Sequence, residues 1–147
     1  MAQDPKPLHH RVVHCQFGDL ALYRRMGALG MGADVQPAFV PTDSAIVPER
    51  VGERAGESYA WKTLLECGVL VGGGSDSPVE DFSPLWGSHG AGSRPGAGGV
   101  FRPEERLSVQ QAVEMYTLTP GRLAGMSREL GTLEAGEKYV KDMADPY

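Results

Sequence analysis

The segment that most restricts the fold is Val69-Leu70-Val71, which runs directly into Gly72-Gly73-Gly74-Ser75-Asp76-Ser77-Pro78. A run this short and apolar on both faces suits a strand buried in a parallel sheet covered by helices. The glycines allow a tight backbone exit, and Pro78 prevents the strand from resuming. Two more strands are expected upstream. One covers Arg11 to Cys15, where Val12, Val13 and Cys15 are apolar, and the other Ala33 to Gln36, stopped by Pro37.

Helical patterns separate these strands. Asp19 is a suitable N-cap for a helix from Asp19 to Ala28, with Leu20, Leu22, Tyr23 and Met26 on its apolar face and Gly27 or Gly30 at its end. Three- and four-residue spacings recur from Pro48 to Cys67 and are firmest over Glu57 to Glu66, with Gly68 as the stop. Strand, helix, strand, helix, strand is an α/β order. Two more helices are expected downstream: Val109 to Tyr116 with Ser108 as N-cap, and one opening at Pro120 with Thr119 as N-cap. No internal repeat or heptad is present.

Composition narrows the partners. The 147 residues suffice for one domain with a modest core, and a net charge of -5 provides no basic field for nucleic acid or an anionic membrane. No apolar run approaches the roughly 20 residues of a membrane span, and Met1 to Pro7 is unlike a signal peptide. Cys15 and Cys67 lack zinc-type paired spacing and read as reduced core residues, so a cytoplasmic setting is expected. Glycine is the outlier at 20 residues, concentrated between Gly87 and Gly99. That stretch reads as a long loop, because it has no periodicity with which to bury a face.

Three strand ends deliver polar residues: His14, Gln36 and Asp76. In a parallel α/β sheet, the C-terminal strand ends line the functional face. A neutral imidazole at His14 could ligate a metal, and a carboxylate at Asp76 could bind one or take a proton from activated water. Each also has a structural reading, His14 as a hydrogen-bonded core histidine and Asp76 as a turn residue. Gln36 before Pro37 reads as structural, and His9, His10 and His89 as solvated loop residues. Trp61 and Trp86 read as packing residues, with Trp86 also able to line a substrate pocket. The triple glycine is no phosphate loop, since no G-x-x-x-x-G-K-[ST] or G-x-G-x-x-G pattern opens a helix there.

Read in order, several segments carry a resemblance: His10-Arg11-Val12-Val13-His14-Cys15-Gln16, Val35-Gln36-Pro37, Tyr59 to Leu65, Gly74-Ser75-Asp76-Ser77-Pro78-Val79-Glu80, Pro103 to Ser108, Ala112 to Thr117 and Gly131 to Gly136. Together they resemble the C-terminal part of the amidohydrolase superfamily, in the family-3 branch of N-substituted formamide deformylase-like enzymes. The resemblance implies the C-terminal portion of a (β/α)8 TIM barrel, strands six to eight with their helices, over residues 1–130. Residues 131–147 would be a divergent remnant of the β-sandwich domain. It also implies His14 as a metal ligand, Asp76 as both metal contact and catalytic proton carrier, and a divalent metal, zinc by family, as cofactor. The substrate would be a small molecule with an amide-type C–N bond.

The departures are specific. Val13 stands where the family usually has Glu, and Glu137 to Pro146 is far more polar than the family's closing strand. No H-x-H pair occurs in the chain, and the strand-four and strand-five ligands have no counterpart. Two expectations follow: a hydrolase fragment active only with the missing barrel strands, or an inactive truncated homologue persisting as a binding module or homo-oligomer.

Overall fold

The computed structural model describes residues 10–135. His9 and most of the 131–147 segment lie outside the described residues, and 131–135 form only turns and bends. Three parallel strands make the sheet: β1 (Arg11–Val13), β2 (Gly32–Val35) and β3 (Leu70–Gly73), in the order β1-β2-β3. Arg11 lies opposite Gly32, and Gly32 opposite Leu70, so the strand ends are level. Helix α1 (Leu20–Ala28) connects β1 to β2. The β2–β3 connection runs through α2 (Phe39–Asp43), α3 (Val47–Val51), a 3-10 stretch (Gly52–Glu57) and α4 (Trp61–Glu66). Mixed α/β architecture with a parallel sheet is as expected.

One face of the sheet carries the core. Ala33, Val35 and Val71 are buried together with Tyr23 and Met26 of α1 and Trp61 and Leu64 of α4. Asp19 caps α1 by accepting from the Leu22 backbone at 2.7 Å. The apolar face of α1 is narrower than its sequence suggests, because Leu20 and Leu22 are half exposed. On the opposite face, Arg11 pairs with Asp34 at 3.3 Å. Leu123 of α7 (Leu118–Leu123) fills the space above Gly32 and Gly72, where any Cβ would collide with it. Among the described residues, β1 and β3 are open sheet edges, and Val13 on β1 is 59% exposed.

Four sequence expectations need correction. The Gly87–Gly99 stretch is no long loop: α5 (Pro84–Ser93) occupies most of it, followed by a hairpin of β4 (Pro95–Gly96) and β5 (Gly99–Val100). Ser83 caps α5 and Pro84 sits in its first turn. Its glycines permit close packing. A Cβ on Gly87 would lie 1.8 Å from the Tyr116 hydroxyl, and one on Gly90 2.3 Å from the Pro37 carbonyl oxygen. Helix α4 begins at Trp61 instead of Glu57, because Tyr59 takes a left-handed conformation (φ 50°) that no helix accepts. Strand β3 continues through Gly72 and Gly73, and the turn starts after them. Helix α7 opens at Leu118 rather than Pro120 and takes no side-chain cap bond. By contrast, α6 (Val109–Glu114) has the expected Ser108 cap, completed by Gln111 into a reciprocal capping box.

A buried cation stack ties α5 to α4. Arg94, the left-handed C-cap of α5, is 0% exposed, with its guanidinium 4.8 Å from the Trp61 ring centre and 6.0 Å from that of Phe101. Its Nε donates to the Phe101 carbonyl at 2.9 Å. Burial lowers its pKa to about 10, opposed by the negative charge of Glu105. Glu105 accepts from both the backbone and hydroxyl of Thr63. Among the described residues, no helix is long and apolar enough to cross a membrane.

Candidate functional site

The C-terminal ends of β1, β2 and β3 deliver His14, Gln36 and Asp76 to one end of the sheet, as their sequence positions imply. His14 directly follows β1 and takes a left-handed backbone conformation (φ 65°), as does Cys15 (φ 44°). The Cys15 amide closes this turn by donating to the Val13 carbonyl at 2.9 Å. The reversal buries Cys15 and leaves His14 exposed. Burial pushes the Cys15 thiol above its ordinary pKa, which disfavours the thiolate.

The imidazole of His14 is held from β2. Its Nδ1 lies 2.9 Å from the Gln36 side-chain oxygen, and its ring stacks on Phe39 at 6.3 Å with planes 24° apart. Gln36 is 7% exposed, and its carbonyl accepts from the Phe39 amide at 3.1 Å. Sequence reasoning placed Gln36 at a strand end but gave it no role beside His14. The readable signal was a polar residue closing an otherwise buried strand just before a proline.

Asp76 sits differently. It occupies an exposed turn after β3 in a left-handed conformation (φ 56°), and its backbone carbonyl accepts from the Val79 amide at 2.9 Å. Among the described residues, no hydrogen bond or ion pair reaches its carboxylate. His14 and Asp76 are therefore not in contact with each other by any hydrogen bond. The β2 strand separates their strands, a span of two inter-strand spacings or about 10 Å.

The remaining candidates scatter. His10 is exposed. His89 lies on α5 rather than in a loop, bonded to Ser93 at 3.2 Å and stacked on Trp86 at 5.4 Å. Trp61 is a core residue, whereas Trp86 is 42% exposed and lies outside the core. Cys15 and Cys67 are both free thiols. Beneath the Asp76 turn, the Tyr116 ring packs where a Cβ on Gly73 would lie 2.7 Å away, and its hydroxyl reaches the Gly74 carbonyl at 3.5 Å. Burial raises the Tyr116 pKa to about 12.

The donor set fits a divalent metal in kind but falls short in number. His14 offers an imidazole nitrogen and Asp76 a free carboxylate, yet a catalytic zinc normally takes three protein ligands. Among the described residues, no group of three or more His, Cys, Asp or Glu could hold a metal ion.

Comparison with known proteins gives a consistent picture. The amidohydrolase family matches residues 1–138. A Bacillus subtilis protein named as an amidohydrolase, YtcJ, is 37% identical over 114 residues, covering 74% of this chain and 22% of its own length. N-substituted formamide deformylase of Arthrobacter pascens is 26% identical over 133 residues, covering 87% of this chain and 24% of its own. The crystal structure of an uncharacterized metal-dependent hydrolase from Pyrococcus horikoshii superposes with a TM-score of 0.79 at 28% identity, over 90% of this chain and 28% of that one. The chain thus spans less than a quarter of the length of these two curated relatives.

Proposed function

The chain belongs to the amidohydrolase family, and from that premise we propose that it supplies two catalytic groups of a metal-dependent amide hydrolase whose other ligands come from outside these residues. On this reading β1, β2 and β3 are strands six, seven and eight of a (β/α)8 barrel. His14 donates Nε2 to a divalent metal, with zinc the expected ion. Asp76 contacts the same site and carries the proton. The observation that carries the reading is a pair of donors with no hydrogen-bond partner among the described residues, Nε2 of His14 and the carboxylate of Asp76, at one end of a parallel sheet.

When bound, the metal polarises the amide carbonyl and acidifies water. His14 keeps its ring orientation through Gln36 and Phe39, so little reorganisation is needed to offer its lone pair. Asp76 takes the proton of the attacking water and returns it to the leaving nitrogen, breaking the C–N bond. An exposed carboxylate without a hydrogen-bond partner is free to turn between those positions. The open β1 edge agrees with a further βα unit packing there. Beside it lies an apolar groove of about 310 Å³ that includes Val12, Phe17, Leu22, Met26 and Leu29.

A chimaera tests the reading: residues 10–135 replace the matching segment of the B. subtilis relative. Metal content and hydrolysis of a panel of N-formyl and N-acyl amides are then measured. Turnover is expected, with Asp76→Asn lowering kcat by about 100-fold or more, in the range of a lost proton-transfer group. His14→Ala should lower metal content. A chimaera that hydrolyses amides equally well with both substitutions would overturn the assignment.

A further inference from the structure

The reading of His14 as a donor requires a particular ring nitrogen to be free, and the residues around it specify which. We infer that Gln36 is a positioning residue that holds His14 with its proton on Nδ1, leaving the lone pair on Nε2. This rests on the proposed donor role of His14 and adds Gln36, with Phe39 as its accessory, to the machinery of that site.

The backbone brings the two side chains together. Val13 lies opposite Asp34, so the residue after β1 emerges beside the end of β2. The left-handed turn at His14 and Cys15 then brings the imidazole to within 2.9 Å of the Gln36 oxygen. An amide oxygen only accepts, so the Nδ1 facing it must donate. Nε2 makes no other hydrogen bond among the described residues.

The acceptor is itself anchored. Gln36 is buried, its carbonyl is bonded to the Phe39 amide, and Pro37 follows it. Helix α5 presses on this segment at Gly90, where a side chain would collide with the Pro37 carbonyl. Phe39 flanks the ring from the same segment and restricts its rotation. An exposed neutral histidine exchanges freely between tautomers, whereas a ligating histidine usually donates its other N–H to a fixed acceptor. Gln36 has that relation to His14. A carboxamide in this place also avoids adding a negative charge next to the ligand.

The test reads the tautomer directly. The chain labelled with 15N-histidine is examined by long-range 1H–15N correlation at a pH about two units above the ordinary imidazole value of ~6.5. The His14 signals are assigned by their loss in His14→Gln. Wild type should show a protonated Nδ1 and an unprotonated Nε2. Gln36→Leu should shift His14 to a mixture, and Gln36→Glu should restore the wild-type pattern. In the chimaera, Gln36→Leu should weaken Zn2+ binding about 10- to 100-fold, with recovery in Gln36→Glu.

A wild-type His14 protonated on Nε2 overturns the inference, as does a tautomer unchanged by Gln36→Leu. If Gln36→Leu does not fold, the wild-type spectrum and Gln36→Glu still decide it. Because the spectrum needs no metal, its outcome separates from that of the functional reading. Loss of metal content in His14→Ala alongside an Nε2–H tautomer would sink only the Gln36 role.

Discussion

At the end of β1, His14 is bonded to Gln36 and stacked on Phe39; at the end of β3, Asp76 stands on an exposed turn, and no hydrogen bond from the described residues reaches its carboxylate. The two candidate donors share one end of the sheet but differ in how much structure each commands. A ligand benefits from being fixed, since each restrained rotor lowers the cost of coordination. A proton carrier must reach two positions during one turnover, and tight hydrogen bonding would oppose that. The β3 end invests its structure one layer lower, where Gly73 and Gly87 make room for Tyr116 beneath the turn.

That contrast can be broken from beneath first. Gly87→Ala puts a Cβ 1.8 Å from the Tyr116 hydroxyl, and the ring must shift. A loss of about 1–3 kcal/mol is expected in chemical denaturation. Gly74→Ala, which meets nothing within 4 Å, should cost far less if the β3 end depends on packing below and not on the turn itself.

The β1 end is probed next. Gln36→Leu removes the acceptor for His14 and should cost about 1 kcal/mol, read as a shift in the denaturation midpoint at unchanged slope.

A third, pH-dependent effect belongs to the β3 side. Burial raises Tyr116 from 10.0 to about 12. The neutral phenol therefore stabilises the fold fully below pH 10, and that contribution disappears as pH rises through about 12. Alkaline denaturation of Tyr116→Phe should be correspondingly shallower over that interval.

The smallest effect is expected at Asp76. Asn tolerates the left-handed backbone and no bond is lost, so Asp76→Asn should change stability by less than about 0.5 kcal/mol. A large loss would show that Asp76 has a structural task and weaken the contrast with His14.

Much of the frame was legible in the sequence. The three strands, the Asp19 cap and the Ser108 cap follow from local rules about periodicity and side-chain hydrogen bonding. What failed depended on partners distant in the chain. The 87–99 stretch reads as a loop for want of periodicity, while the meaning of Gly87 and Gly90 lies in Tyr116 and Pro37, which no local window contains. The informative signal was instead Ser83-Pro84, an N-cap followed by proline in the first helical turn. Likewise the alternation of β1 could not show that Gln36 would meet His14, because that contact needs the register between strands and two left-handed residues. Arg94 was equally hidden: nothing nearby in sequence announces that an arginine will lie fully buried against Trp61 and Phe101.

Metal stoichiometry tests the central claim most directly. The isolated chain is incubated with Zn2+, passed through a desalting column and measured by elemental analysis, alongside His14→Ala. The account predicts well under one retained zinc per chain and no amide turnover, because His14 and Asp76 are two donors where about three are required. One zinc per chain, lost in His14→Ala and accompanied by turnover, would contradict it.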